Sequence, residues 1–195
     1  MYFSKLLGLA CLTGILVETV ASNDIFPATT EIIRKRFKLR NTSWSSCGSD
    51  SDAIQIDSLD IEPGFIHLPG DITVNAQVTV HANITSPIKV TVVAKKKTFL
   101  GWITLPCWQQ TFGSCTYEDV CSLTPYPDDC PEYFVDNNIP CHCPLTEGVV
   151  NVDNLTTTLY MSVPEWLEKG NYMAHVQFSQ HDTKLACYEF RFQLA

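Results

Sequence analysis

Six cysteines fall between residues 107 and 143, and their arrangement limits the fold more than any other feature of the chain. The stretch reads Pro106-Cys107, Gly113-Ser114-Cys115, Cys121, Cys130 and Pro140-Cys141-His142-Cys143-Pro144. Cys47 and Cys187 stand far to either side, and the ninth cysteine, Cys11, lies in an apolar leader. Without the leader eight remain, an even number that suits four disulfides. Eight cysteines allow about a hundred pairings, so counting leaves the connectivity open.

Cys141-His142-Cys143 also invites a metal reading, because thiolate and imidazole are zinc ligands. The two-to-four-residue spacers usual for paired zinc ligands are missing, so the expectation is staples and no metal. The segment is poor in alternating apolar residues and carries Pro125, Pro127, Pro131 and Pro140. Its order must come from cross-links more than from a core.

The leader sets the compartment. Lys5 supplies a positive flank, Leu6 to Val17 an apolar core, and Val20-Ala21-Ser22 small residues for cleavage. About a dozen apolar residues fall short of the roughly 20 that span a bilayer. Residues 1–22 are therefore expected to be a signal peptide, and the chain to reach an oxidising lumen where disulfides persist. Sequons at Asn41, Asn83 and Asn154 fit that route. The expected destination is the lysosome, the extracellular space, or both.

About 170 residues then remain, enough for one domain with its own core. The formal net charge of −8 argues against general nucleic-acid binding. Cations concentrate at Arg34–Arg40 and at Lys95-Lys96-Lys97. Residues 23–43 lack strand alternation and are read as a flexible extension preceding a domain over 44–195. The second knot is read as a strand end at a turn.

From Ile72 to Thr85 apolar and polar residues alternate: Ile72, Val74, Ala76, Val78, Val80, Ala82 and Ile84 against Thr73, Asn75, Gln77, Thr79, His81, Asn83 and Thr85. A period of two marks a strand with one face buried. The run exceeds the usual five or six residues, so one long bent strand or two kinked ones are expected. The pattern recurs over Ile88–Ala94, Leu155–Val163, Tyr172–Phe178 and Tyr188–Leu194. The fold class is all-β, an antiparallel sandwich or cup. Many inward candidates are small (Ala76, Ala82, Val92, Ala174), which leaves open whether the interior is filled or hollow.

Catalysis finds little support. No Gly-x-Ser-x-Gly elbow or His-Glu-x-x-His pair occurs. Ser114 precedes a cysteine expected to be bridged, and Asp128-Asp129 sit in a proline-rich loop. No catalytic residue and no cofactor are expected. Two apolar clusters in links between strands draw more attention: Phe99, Leu100 and Trp102, and Val163, Trp166 and Leu167. Apolar residues grouped in loops make membrane or partner contacts. Tryptophan suits the lipid–water interface, being apolar in its ring and polar at its N–H.

Several motifs in order resemble the ganglioside GM2 activator family. They are Trp44-x-x-Cys47, Leu59-x-Ile61-x-Pro63, Leu68-Pro69-Gly70, Ser86-Pro87-Ile88-Lys89-Val90 and Gly101-Trp102-Ile103. The series continues through Leu105-Pro106-Cys107, Gly113-Ser114-Cys115, the Cys-His-Cys run, Glu147-Gly148, Pro164-x-Trp166-Leu167 and Gly170-Asn171-Tyr172. The resemblance spans roughly residues 43–195 and implies a β-cup with an apolar cavity for lipid chains. It implies the pairs Cys47–Cys187, Cys107–Cys115, Cys121–Cys143 and Cys130–Cys141. It makes Phe99–Trp102 and Val163–Leu167 rim loops that touch membrane. The function implied is non-enzymatic: extraction of a glycosphingolipid or phospholipid from a membrane, and presentation to a lysosomal β-hexosaminidase. The competing expectation is a secreted lipid-recognition or carrier protein of signalling or innate defence.

Overall fold

The computed structural model describes residues 42–123, 129–160 and 163–195. The expected signal peptide, Asn41 and nearly all of the 23–43 extension lie outside them. Ser43, the last residue assigned to that extension, already belongs to a strand.

Among the described residues nine strands make two antiparallel sheets. In chain order they are β1 (Ser43–Ser46), β2 (Ile54–Glu62), β3 (Gly70–Val80), β4 (Lys89–Thr98), β5 (Gly101–Thr104), β6 (Thr116–Tyr117), β7 (Gly148–Leu159), β8 (Gly170–Gln180) and β9 (Thr183–Leu194). The larger sheet runs β1-β9-β8-β4-β5, with β6 also on β4; the smaller runs β2-β3-β7. One short helix, α1 (Glu132–Asp136), and 3-10 turns at Val120–Leu123 and Glu165–Leu167 complete the described elements. The first of those turns falls within Tyr117–Leu123, where a short helical turn is compatible with the sequence; α1 had no readable signal.

The long alternating run is shorter than expected. β3 stops at Val80, and Ile84 forms an isolated bridge with Leu145. Ala82, expected inside, is exposed beyond the strand end. Asp119 pins the link that follows, accepting bonds from the Ser86 hydroxyl and from the Ile88 and Cys121 amides. Those three donors hold its carboxyl below the usual carboxylate range.

Four disulfides join Cys47–Cys187, Cys107–Cys115, Cys121–Cys143 and Cys130–Cys141. The first ties the end of β1 to β9 across 140 residues. The other three cross-link the loops between β5 and β7. By closing loops they restrict the unfolded chain, which stands in for the core that segment lacks.

The core comes in two clusters at opposite ends of β8. Val80, Ile84, Ile88 and Leu185 form one, with Phe178 against it. Leu105, Val163, Leu167, Tyr172 and Leu194 form the other. Between them the facing positions narrow to Val92–Val176 and Ala94–Ala174. Val92, Ala94 and Ala174 there line a hollow whose other walls, Phe112, Phe192 and Leu194 among them, border the second cluster.

Candidate functional site: an apolar cavity and its rim

The hollow has a volume of about 350 Å³. One wall is the inner face of the larger sheet, with Val92, Ala94, Ala174, Phe190, Phe192 and Leu194. Ile61 and Leu159 come from the smaller sheet, and Ile66, Leu68, Phe112 and Gly113 from connecting loops. The lining is almost entirely hydrocarbon, in the size range of small-molecule sites. Gly113 is required there: its φ is +99°, and a β-carbon would collide with the Pro106 carbonyl. Among the lining residues the Thr42 hydroxyl is buried without a hydrogen-bond partner. Of the small residues expected inside, Val92 and Ala174 line the hollow, whereas Val80 is packed into a core cluster.

The two apolar loop clusters differ in structure. Phe99 and Leu100 form the two-residue loop of the β4–β5 hairpin, since Thr98 pairs with Gly101 and Lys97 with Trp102. Gly101, where the chain enters β5, takes a positive φ, which glycine adopts at little cost. The Thr98 hydroxyl donates to the Gly101 carbonyl and accepts from the Leu100 amide, which closes the loop locally. Phe99 is 96 % exposed and Leu100 82 % exposed. Trp102 is half-exposed, with the Lys97 ammonium 6.0 Å from its ring centre.

At the second cluster only Trp166 is a surface residue, at 57 % exposure. Val163 and Leu167, expected at the membrane rim, are 9 % and 3 % exposed and belong to the core. The reason is geometric. Val163 and Leu167 bracket a single 3-10 turn, closed by the Leu167 amide on the Pro164 carbonyl at 2.7 Å. Val163 before the turn and Leu167 at its end face inward, while Glu165 and Trp166 between them project.

Two side chains fasten that turn from beneath. The buried Tyr172 hydroxyl donates to the Leu167 carbonyl at 2.5 Å. Burial pushes its pKa up to about 12. The Lys96 ammonium donates to the Trp166 carbonyl. It also lies 5.7 Å from the Trp166 ring centre and 5.5 Å from that of Tyr172. Tyr172 in turn stacks on Phe192 at 5.5 Å and meets Phe112 edge-on at 5.9 Å, and both of those rings line the hollow. Neither Lys96 nor Tyr172 was singled out as a site residue in the sequence. The alternation of β4 would have placed Lys96 on the inner face with Val92 and Ala94.

Other sequence candidates have structural roles. The Ser114 hydroxyl donates to the Ala94 carbonyl and accepts from the Ala94 amide. Two groupings of metal-ligand type occur among the described residues: Cys47–His175–Cys187 and Cys130–Cys141–His142. Every sulfur in them is spent in a disulfide, so neither offers the thiolates that zinc takes. Asp128 lies outside the described residues. Asn83 and Asn154 are both exposed, and the Asn83 side-chain oxygen accepts from the Glu147 amide.

Comparison with known proteins agrees with this architecture. The ML domain family model matches residues 41–194. The ganglioside GM2 activator of Macaca fascicularis is 35 % identical over 155 residues, covering 77 % of this chain and 81 % of that protein. The ganglioside GM2 activator of Mus musculus is 32 % identical over 179 residues, covering 89 % of this chain and 91 % of its own. A solved Niemann-Pick type C2 protein from Japanese carpenter ant covers 78 % of this chain and 99 % of its own, at 15 % identity with a TM-score of 0.43, a likeness too slight to argue from. With a family model matched over most of its length and two such relatives, the chain belongs to the ML-domain family of lipid-binding proteins, alongside the ganglioside GM2 activators.

Proposed function

We propose that this protein extracts a glycosphingolipid from a membrane, holds its hydrocarbon in the cavity, and presents the headgroup to a lysosomal glycosidase of the β-hexosaminidase type. The observation that carries the reading is an apolar hollow in the same domain as a fully exposed apolar hairpin tip. The curated relatives bear the name ganglioside GM2 activator, which supports the choice of substrate and of partner. The protein acts as a carrier and activator, not as an enzyme.

Phe99 and Leu100 would enter the interface, with Trp102 and Trp166 at the level of the headgroups. Each large apolar side chain buried there contributes about 1.5–3 kcal/mol. Acyl chains passing from bilayer to cavity exchange one hydrocarbon environment for another, so the transfer is close to neutral and reversible. Four disulfides fit an oxidising lumen. Asn83 and Asn154 would carry glycans there.

The test is transfer of a fluorescent glycosphingolipid out of vesicles at acidic pH, followed by sugar release on adding purified β-hexosaminidase. The Phe99→Ser/Leu100→Ser variant is expected to fold normally and extract at least tenfold more slowly, given about 3–6 kcal/mol of lost insertion. An unchanged rate would overturn the rim assignment. Extraction without any gain in sugar release would leave a carrier but remove the hexosaminidase as its partner.

A further inference from the structure

Lys96 is unusual among the described cations. Side chains alternate along β4, so Lys96 shares the inner face with the cavity-lining Val92 and Ala94. It stands two residues beyond Ala94, about 7 Å along the strand, towards the Phe99-Leu100 tip. Its pairing partner on β8 is Tyr172, whose ring touches two cavity-lining aromatics. An ammonium has been placed where the cavity gives way to the membrane-facing end.

That ammonium has an incomplete set of partners. A lysine head carries three N–H donors. The Trp166 carbonyl takes one. The faces of Trp166 and Tyr172 attract the charge without using a lone pair. Among the described residues no carboxylate forms an ion pair with Lys96, although Glu165 and Glu168 are exposed on the adjoining turn. Lys89, Lys184 and Arg191 each have one; Lys95, Lys97 and Lys169 also have none, and what sets Lys96 apart is its place on the inner face, against the Trp166 and Tyr172 rings. The site is also kept clear: Gly170 has φ +128°, and a β-carbon there would sit 3.1 Å from the Lys96 Cε. Partial burial lowers the Lys96 pKa from its ordinary value, as expected for a cation held without a counter-charge.

We propose that Lys96 is an anion-recognition point for the lipid headgroup, selecting lipids whose carboxylate or phosphate carries a negative charge that no cation of the same headgroup offsets. Two ammonium donors meet the anion while the third keeps its bond to the Trp166 carbonyl. Lys95, half-buried, and the exposed Lys97 project from the opposite face of β4 and take no part. The proposal rests on the carrier reading, since it names the lipid class that the same cavity takes.

The experiment extracts lipid from one mixed vesicle holding equimolar phosphatidylcholine, phosphatidylglycerol, a neutral glycosphingolipid and its sialylated counterpart, all with matched acyl chains. Because the lipids share one surface, general attraction to charge cancels, and mass spectrometry of the bound lipid reports headgroup choice. The full-length wild type is expected to enrich the anionic member of a pair roughly tenfold, the worth of a charge-assisted hydrogen bond. Enrichment of phosphatidylglycerol alone identifies phosphate as the group read, and of the sialylated lipid alone, carboxylate. Lys96→Met is expected to bring the ratio to about one, while Lys96→Arg and Lys95→Met keep it. A wild-type ratio near one, persistence of the preference in Lys96→Met, or its equal loss in Lys95→Met overturns the proposal while leaving the carrier intact. Failure to take up any lipid sinks the carrier reading itself. A second readout needs no variant: Lys96 in protein loaded with an anionic lipid should react more slowly with a soluble acylating reagent than in protein loaded with phosphatidylcholine. Equal rates would overturn the proposal.

Discussion

The Phe99–Trp102 and Val163–Leu167 segments look alike in sequence, each a tryptophan with apolar neighbours in a link between strands, and the fold treats them in opposite ways. The Phe99-Leu100 tip is closed by Thr98 alone and buries nothing. The Glu165–Leu167 turn is fastened at both ends by core residues and from beneath by Tyr172 and Lys96. An exposed apolar residue with no packing partner is free to serve a membrane. A residue that anchors a turn serves the fold first, whatever its hydrophobicity. The two segments therefore divide the work: one offers surface, and the other keeps the end of the cavity in shape.

The sharpest way to break this contrast is to shorten a leucine in each. Leu167→Ala removes a side chain that is 3 % exposed and should cost about 2–5 kcal/mol of folding stability, through lost burial and the cavity left behind. Leu100→Ala should stay within about 0.5 kcal/mol of the parent. Denaturant unfolding of the two variants decides it. Equal losses would mean that the hairpin tip packs against something, and the division would fail.

A smaller effect is expected at the tie between them. Tyr172→Phe leaves the ring stack in place but strips the donor from the Leu167 carbonyl, at a cost of about 1–2 kcal/mol. The same hydroxyl gives a signature in pH. Its pKa is raised to about 12 in the folded state against 10 for an exposed tyrosine. The unfolded chain thus releases its proton first. The contribution is fully present below pH 10 and is lost as pH rises from 10 through about 12. Stability of the wild type should fall across that window more steeply than that of Tyr172→Phe, and parallel curves would show that the hydroxyl is not buried as described.

How much of this was readable in the sequence follows from where the alternation is regular. β3 carries no extra residue, and its period of two was legible without help. Its neighbours are different. β2 has two residues, Asp57 and Ser58, where β3 has one step, so its inward residues change from Ile54 and Ile56 to Leu59 and Ile61. β7 does the same between Val152 and Leu155, where Asn154 takes φ +54°. A β-bulge reverses which parity faces the core, and a strict period of two then misses half of each strand. That is why the first half of β7 went unread. The rim failed for another reason. Val163 and Leu167 are four apart, and only the 3-10 turn between them turns both inward. Lys96 was hidden by its neighbours, because a run of three lysines reads as one solvated knot although successive residues on a strand face opposite ways.

The smallest expected effect is also the most discriminating. Trp166 is the apolar residue of its segment that remains at the surface, so Trp166→Ala should lower stability by no more than about 1 kcal/mol, the worth of an exposed cation–π contact with Lys96. The bond from Lys96 goes to the Trp166 backbone carbonyl and survives the substitution. Two roles then separate cleanly. If the ring enters the interface, Trp166→Ala weakens vesicle binding by a similar amount for neutral and anionic membranes, as a lost apolar contact must. If the ring chiefly steadies the Lys96 ammonium, vesicle binding holds and the choice between anionic and neutral headgroups declines instead. Sedimentation with vesicles, run beside lipid extraction, tells these apart. The geometry favours the first outcome, since Trp166 is 57 % exposed while Tyr172 still holds Lys96 from the other side.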